Sequence, residues 1–160
     1  MPPQFASILD GTLLEARGAV GGPVSVEVAV DGSGRDVVER FWSAFAVRDL
    51  ETSASLLSDR FEQRWPQSGE LIHGPDNWLA MASSHPTLPR SRIVAIYGEG
   101  DLWVAELVFD YGDGSPPYQV GAIHRVVGGA IASTVEFFGA PFDPAEWRAA
   151  VVEVGPRPVL

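Results

Sequence analysis

The 160-residue chain has no cysteine and no lysine; all 11 of its basic residues are arginine. Without thiols there can be no disulfide, no thiolate metal ligand and no cysteine nucleophile, and without an ε-amine there is no Schiff-base chemistry. Any reaction therefore falls to Asp, Glu, His, Tyr, Ser, Thr or Arg. Basic charge is scarce as well. Against 21 acidic residues it leaves a formal net charge of −10, which opposes binding through phosphates or anionic lipid headgroups. Neither nucleic acid nor a membrane is expected as a partner. No stretch approaches the roughly 20 consecutive apolar residues of a membrane span, and the start MPPQFASILDGT lacks a basic region followed by an apolar core. A soluble, cytoplasmic protein is the expectation. Familiar catalytic strings are missing too: there is no G-x-S-x-G elbow, and Gly98-Glu99-Gly100 lacks the following helix of a dinucleotide site. His73, His85 and His124 have neither short spacing nor an adjoining carboxylate cluster, so no metal and no cofactor are expected.

What is present suffices for one core. A single domain is expected at this length, and 46% of residues are hydrophobic. Residues 1–32 are broken by Gly11, Gly18, Gly21, Gly22, Pro2, Pro3 and Pro23 and read as an N-terminal extension, with a strand at 24–30 where Val24, Val26, Val28 and Val30 alternate with smaller or polar residues. The domain proper spans 33–155, and 156–160 form a tail.

Ser33 and Asp36 fit a capping box, and Val37, Val38, Phe41, Trp42 and Phe45 recur at helical spacing, which predicts a helix from about Arg35 to Val47. A short second helix follows Asp49, then an extended stretch through Phe61 and Trp65 that ends at Pro66. Gly74-Pro75 opens a third helix that His85-Pro86 closes. From residue 90 the pattern turns to strands, at 91–97, 102–111, 118–127 and 130–138, joined by glycine-rich turns short enough to make them antiparallel neighbours. Asp143, Pro144 and Glu146 begin a last helix, through Trp147 to about Val152, with Trp147 packing it onto the rest. The fold class is α+β: a curved antiparallel sheet wrapped around N-terminal helices, with a short C-terminal helix.

This element order, with RWPQSGELIHGPDNW (64–78) and VEFFGAPFDPAEWRA (135–149), resembles the nuclear transport factor 2-like superfamily and, within it, the SnoaL-like proteins. The resemblance covers about residues 35–153. It implies a cone-shaped barrel, a pocket between the concave sheet face and the helices, a small apolar ligand, and a homodimer through the outer sheet face. The family's cyclases and isomerases work on ring-containing substrates without a cofactor. In limonene epoxide hydrolase, which is similar, a pocket carboxylate precedes an aromatic pair on the last long strand; Glu136 before Phe137-Phe138 matches that place. The same enzymes carry Arg and Asp two apart on a middle strand, where this chain reads Ala105-Glu106-Leu107-Val108, so epoxide opening is not implied.

Strand pairing locates further candidates. Two-residue turns at Gly128-Gly129 and Asp113-Gly114 would set Glu106, Gly121 and Glu136 in one row, two carboxylates flanking a glycine gap. A longer turn over 112–117 would bring Trp103 into that row instead. Glu136 and Glu106 are thus the candidate acid/base residues, a carboxyl enclosed by apolar groups being one whose pKa rises toward neutrality. Trp42, Phe45, Trp65, Trp78, Met81, Trp103, Thr134 and Phe138 are the candidate substrate-binding wall, though any of them serves equally as core. Under the same register His124 falls on the face opposite Glu136, outside the pocket, while His73 and His85 flank the third helix and could reach its mouth. The alternative function is a non-catalytic ligand-binding or dimerisation domain.

Overall fold

A computed structural model of the chain describes residues 33–160; the strand expected at 24–30 lies outside them. Helix α1 (Ser33–Ala46) buries the predicted stripe of Val37, Val38, Phe41, Trp42 and Phe45. It ends in a Schellman motif, Arg48 N–H bonding Phe45 O at 3.0 Å and Asp49 N–H bonding Ala44 O at 2.9 Å. Arg48 takes the left-handed position with φ 63°, where glycine would be less strained by roughly 1 kcal/mol. Asp49 then caps α2 (Leu50–Ser55), its Oδ1 accepting Thr52 N–H at 3.1 Å.

Two strands intervene before the next helix. β1 (Leu57–Trp65) and β2 (Glu70–His73) form a hairpin, followed by α3 (Pro75–Ser84) with proline in its first turn. β3 (Arg90–Glu99), β4 (Leu102–Asp110), β5 (Tyr118–Val127) and β6 (Ala130–Gly139) then make the expected meander. β1 adds to it in parallel beside β6, so six strands run β2-β1-β6-β5-β4-β3 in place of four. The sheet does not close; β2 and β3 are its edges. α1 crosses β3 to β6 and α3 lies against β1 and β2, so the helices cover one face. The architecture is the expected α+β cone. Among the described residues no helix is long and apolar enough to cross a membrane.

Three expectations need correction. The C-terminal helix is a single 3-10 turn, Glu146–Arg148, with Trp147 83% exposed rather than packed on the sheet. The cap signals are there, but Trp147, Val151 and Val152 are all exposed, and so short a helix has no stability without an apolar face to bury. The second correction is β2, which sequence periodicity does not reveal because only Ile72 in it is even half-buried.

The third is register. β4 and β5 pair as predicted, with Glu106 opposite Gly121. Between β5 and β6, a bulge at Arg125/Val126 shifts the pairing by one residue, so Glu136 faces Ala122, Thr134 faces His124, and Gly121 faces Phe137. A one-residue slip moves a partner strand's side chains to the other face.

The outer face is partly covered by the chain's own end. Arg92, Val108 and Gln119 lie side by side on β3, β4 and β5. Arg92 donates to Val159 O at 2.7 Å and Gln119 to Pro158 O at 3.2 Å. The tail therefore lies over Val108, which has no exposed surface although it points away from the helices.

Candidate functional site

A cavity of about 490 Å³ opens between the helices and the inner sheet face. Its walls are largely aromatic: Trp42 and Phe45 from α1, Trp78 from α3, Trp65 from β1, Phe109 from β4 and Phe138 from β6. Polar groups reach it from Gln63, Gln67, Ser68, Glu70, His85, Tyr111, Tyr118 and Glu136.

Glu136 points inward because, past the bulge, it follows the alternation of β6, on which Thr134 and Glu136 are buried and Phe137 is exposed. Trp65 Nε1–H donates to Glu136 Oε2 at 2.8 Å. Among the described residues Oε1 accepts no hydrogen bond, which leaves it for a molecule in the cavity. Burial pushes the Glu136 carboxyl up to about 7, and the Trp65 hydrogen bond offsets part of that rise by favouring the anion. Near neutrality the group can therefore both give and take a proton. The Tyr111 phenol is also pushed up, first by burial and then by Tyr118 and Glu136 nearby, so it remains a neutral hydroxyl donor.

Gln67 holds this end of the site in place. Its side-chain amide acts like a strand residue, donating to Phe138 O at 2.6 Å and accepting Phe138 N–H at 2.8 Å. The turn between β1 and β2 is thereby clamped to β6 two residues past Glu136.

The bulge changes the positions of the other candidates. Glu106 lies on the outer face in a row with Ala95, Gly121 and Phe137, and Tyr97 OH reaches it at 3.4 Å. It does not share the cavity with Glu136. His124, expected outside, instead points inward and is fully buried. Trp42 Nε1–H, which can only donate, bonds His124 Nε2 at 2.9 Å, so the ring proton sits on Nδ1, 2.9 Å from Thr134 Oγ1. Desolvation pushes His124 down to about 3, which keeps it neutral behind Trp42. Thr134 supports that histidine rather than lining the cavity. Trp103 is also elsewhere: its indole donates to Gly100 O at 2.9 Å and packs against Gly34, where a Cβ would collide with it. Of the predicted wall, Trp42, Phe45, Trp65, Trp78, Met81 and Phe138 line the cavity. His85 reaches it as well, whereas His73 is exposed beside Glu62, 3.8 Å away.

Sequence reasoning missed Gln63, Phe109, Tyr111 and Tyr118. Phe109 follows the inward alternation of Trp103, Ala105 and Leu107, a signal that would have found it. The tyrosines sit at the ends of β4 and β5, where periodicity fades.

The SnoaL-like domain family matches residues 38–134. The chain belongs to this family. The matched span includes the aromatic helices and most of the sheet, and it stops two residues short of Glu136. No curated protein matches the chain. Among solved structures, an NTF-2 like protein of unknown function from Burkholderia xenovorans LB400 is similar with a TM-score of 0.72 and 29% identity, over 79% of this chain and 98% of that one. A protein from Kribbella flavida DSM 17836 described as a candidate ketosteroid isomerase has a TM-score of 0.72 at 20% identity, over 78% and 91%. An epoxide hydrolase of the LEH-like kind from M. tuberculosis has a TM-score of 0.58 at 18% identity, over 66% and 82%. At these identities the last two share the fold.

Proposed function

We propose that this SnoaL-like protein binds a small, apolar, ring-containing molecule in the aromatic cavity and moves a proton on it with Glu136, without a cofactor. The observation that carries this reading is the Glu136 carboxyl itself: enclosed by rings, held through one oxygen by Trp65, and raised to about 7. A group that titrates near the working pH is the most effective proton shuttle.

With Glu106 on the outer face, Glu136 is, among the described residues, the one deeply buried carboxyl in the cavity. A lone carboxyl suffices where the proton it removes from a carbon is given back in the same turnover, to another carbon in isomerisation or to the new alkoxide oxygen in ring closure of an enolate onto a carbonyl. Tyr111 and Tyr118 line the same cavity, which supports a tyrosine hydroxyl as donor to the developing oxyanion. The alternative is a non-catalytic ligand-binding domain of the same fold, in which the cavity holds the molecule and Glu136 only accepts a hydrogen bond from it or donates one to it. A thermal-shift screen against polycyclic and terpenoid compounds identifies ligands. The Glu136→Gln variant then decides the role: binding kept with turnover lost supports proton transfer, and turnover kept rejects it.

The proposal extends to a cytoplasmic homodimer through the outer sheet face. Its support is the apolar row Tyr97, Val104, Ile123 and Val135, one residue from each of β3 to β6, with Tyr97 and Ile123 exposed.

A further inference from the structure

Beside the aromatic cavity lies a second hollow of about 390 Å³. The two share Ala82, His85, Leu88 and Tyr111 as lining residues, so they adjoin across these side chains. Their chemistry differs. Among the described residues the walls of the larger compartment carry no arginine, and its ionisable carboxyls are Glu136 and Glu70. The smaller one is lined by Arg48, whose guanidinium crosses from the end of α1 to donate one N–H to Leu88 O at 2.8 Å. Among the described residues that guanidinium has no carboxylate partner, and its Nε and other terminal nitrogen make no hydrogen bond. The guanidinium is thus tethered at one corner with its remaining donors unused.

A second donor stands at the junction. His85 Nδ1 accepts Thr87 N–H at 3.1 Å, which requires the ring proton on Nε2. The ring is held in that orientation by stacking on Tyr111, with centroids 6.0 Å apart. A cation and a fixed N–H at the open end, joined to an aromatic chamber at the other, match a molecule with two unlike ends.

Building on the small-molecule reading above, we infer that the ligand is an organic acid: its ring system occupies the aromatic chamber and its single anionic group, a carboxylate or sulfonate, lies in the side hollow against Arg48 and His85. A chain of net charge −10 repels anions in general, so any preference for the acid has to come from a local cation, and among the described residues Arg48 is the arginine lining this space. A guanidinium offers two parallel donors to a carboxylate or sulfonate, geometry that an ammonium lacks.

The test uses two fluorescent probes with the same rings, 1-anilinonaphthalene-8-sulfonate and its uncharged parent N-phenyl-1-naphthylamine, with energy transfer from the cavity tryptophans reporting occupancy of the chamber. Arg48→Gly is the variant of choice because φ 63° suits glycine, so the helix end keeps its shape. The wild-type protein is expected to bind the sulfonate at least about tenfold more tightly than the neutral probe. In Arg48→Gly the sulfonate is expected to lose about tenfold while the neutral probe changes less than about twofold, and Arg48→Lys should recover only part of the loss. Equal affinity for the two probes in the wild type, or an equal response of both to Arg48→Gly, overturns the assignment of the acid group while leaving the chamber intact. If neither probe quenches the tryptophans, the small-molecule reading of the cavity fails with it.

Discussion

Trp65 and Glu136 are joined across the β1–β6 boundary by an indole N–H donated to Oε2 at 2.8 Å. The bond does two things at once. It occupies Oε2, leaving Oε1 without a donor among the described residues, and it favours the ionised form against the desolvation that opposes it. Replacing Trp65 with Phe keeps most of the apolar wall and removes the donor. Since a hydrogen bond to a charged group is worth roughly 1.5–3 kcal/mol, the Glu136 carboxyl should titrate about 1 unit higher. Carboxyl infrared bands followed through a pH series measure this directly; an unmoved midpoint would show that the bond has no electrostatic role.

Glu136 and His124 pull stability in opposite directions with pH. Glu136 rises on folding from 4.5 to about 7, so the stability it contributes is fully present below pH 4.5 and is lost by about pH 7. His124 falls from 6.5 to about 3, so it favours the folded state above pH 6.5 and costs stability as pH drops toward 3. Between 4.5 and 6.5 folding takes up one proton at Glu136 and releases one at His124, and the two slopes cancel. For these two groups, chemical denaturation should find a plateau there, with a decline on each side: about 2 kcal/mol on the acid side, between pH 4.5 and 3, and about 1 kcal/mol or less on the alkaline side, between 6.5 and 7. Glu136→Gln should abolish the alkaline decline and the plateau together, leaving a stability that rises with pH from about 3 to 6.5.

Gly34 lies under the Trp103 indole so closely that a Cβ there collides with the ring nitrogen. Gly34→Val should displace either α1 or Trp103 and lower stability by roughly 1–3 kcal/mol, as overpacked contacts do. Urea unfolding checks the loss. Unchanged stability would mean that this end of α1 is free to shift.

The proposed dimer gives a prediction that does not depend on the cavity. Ile123→Arg places a charge in the middle of the exposed row Tyr97, Val104, Ile123 and Val135. Sedimentation should then show monomers while the bound probe keeps its affinity. If the wild-type chain itself sediments as a monomer at micromolar concentration, the outer face is not the interface.

The meander was legible in the sequence because Gly98–Asp101 and Gly128-Gly129 are short turns that leave few ways to pair the strands flanking them. The aromatic helix was legible for a similar reason, as Val38, Phe41, Trp42 and Phe45 can be buried together only on one helical face. What periodicity cannot show is a single inserted residue. The bulge at Arg125/Val126 has no composition mark, yet it brought His124 inward and set Glu106 on the opposite face from Glu136. Cap signals at Asp143-Pro144 misled for another reason. They mark where a helix can start, while its persistence depends on a surface to lie against, which Trp147 lacks. The hollow beside Arg48 was invisible, since it is assembled from the ends of α1, α3 and the loop after it.

The C-terminal strap over Val108 has a practical side. Its grip consists of two carbonyls, Pro158 O and Val159 O, held by Gln119 and Arg92, so deleting residues 156–160 would bare a greasy spot next to the surface where a second copy is proposed to sit. Self-association that strengthens after such trimming would identify the strap as a built-in spacer that limits how closely two sheets can stack.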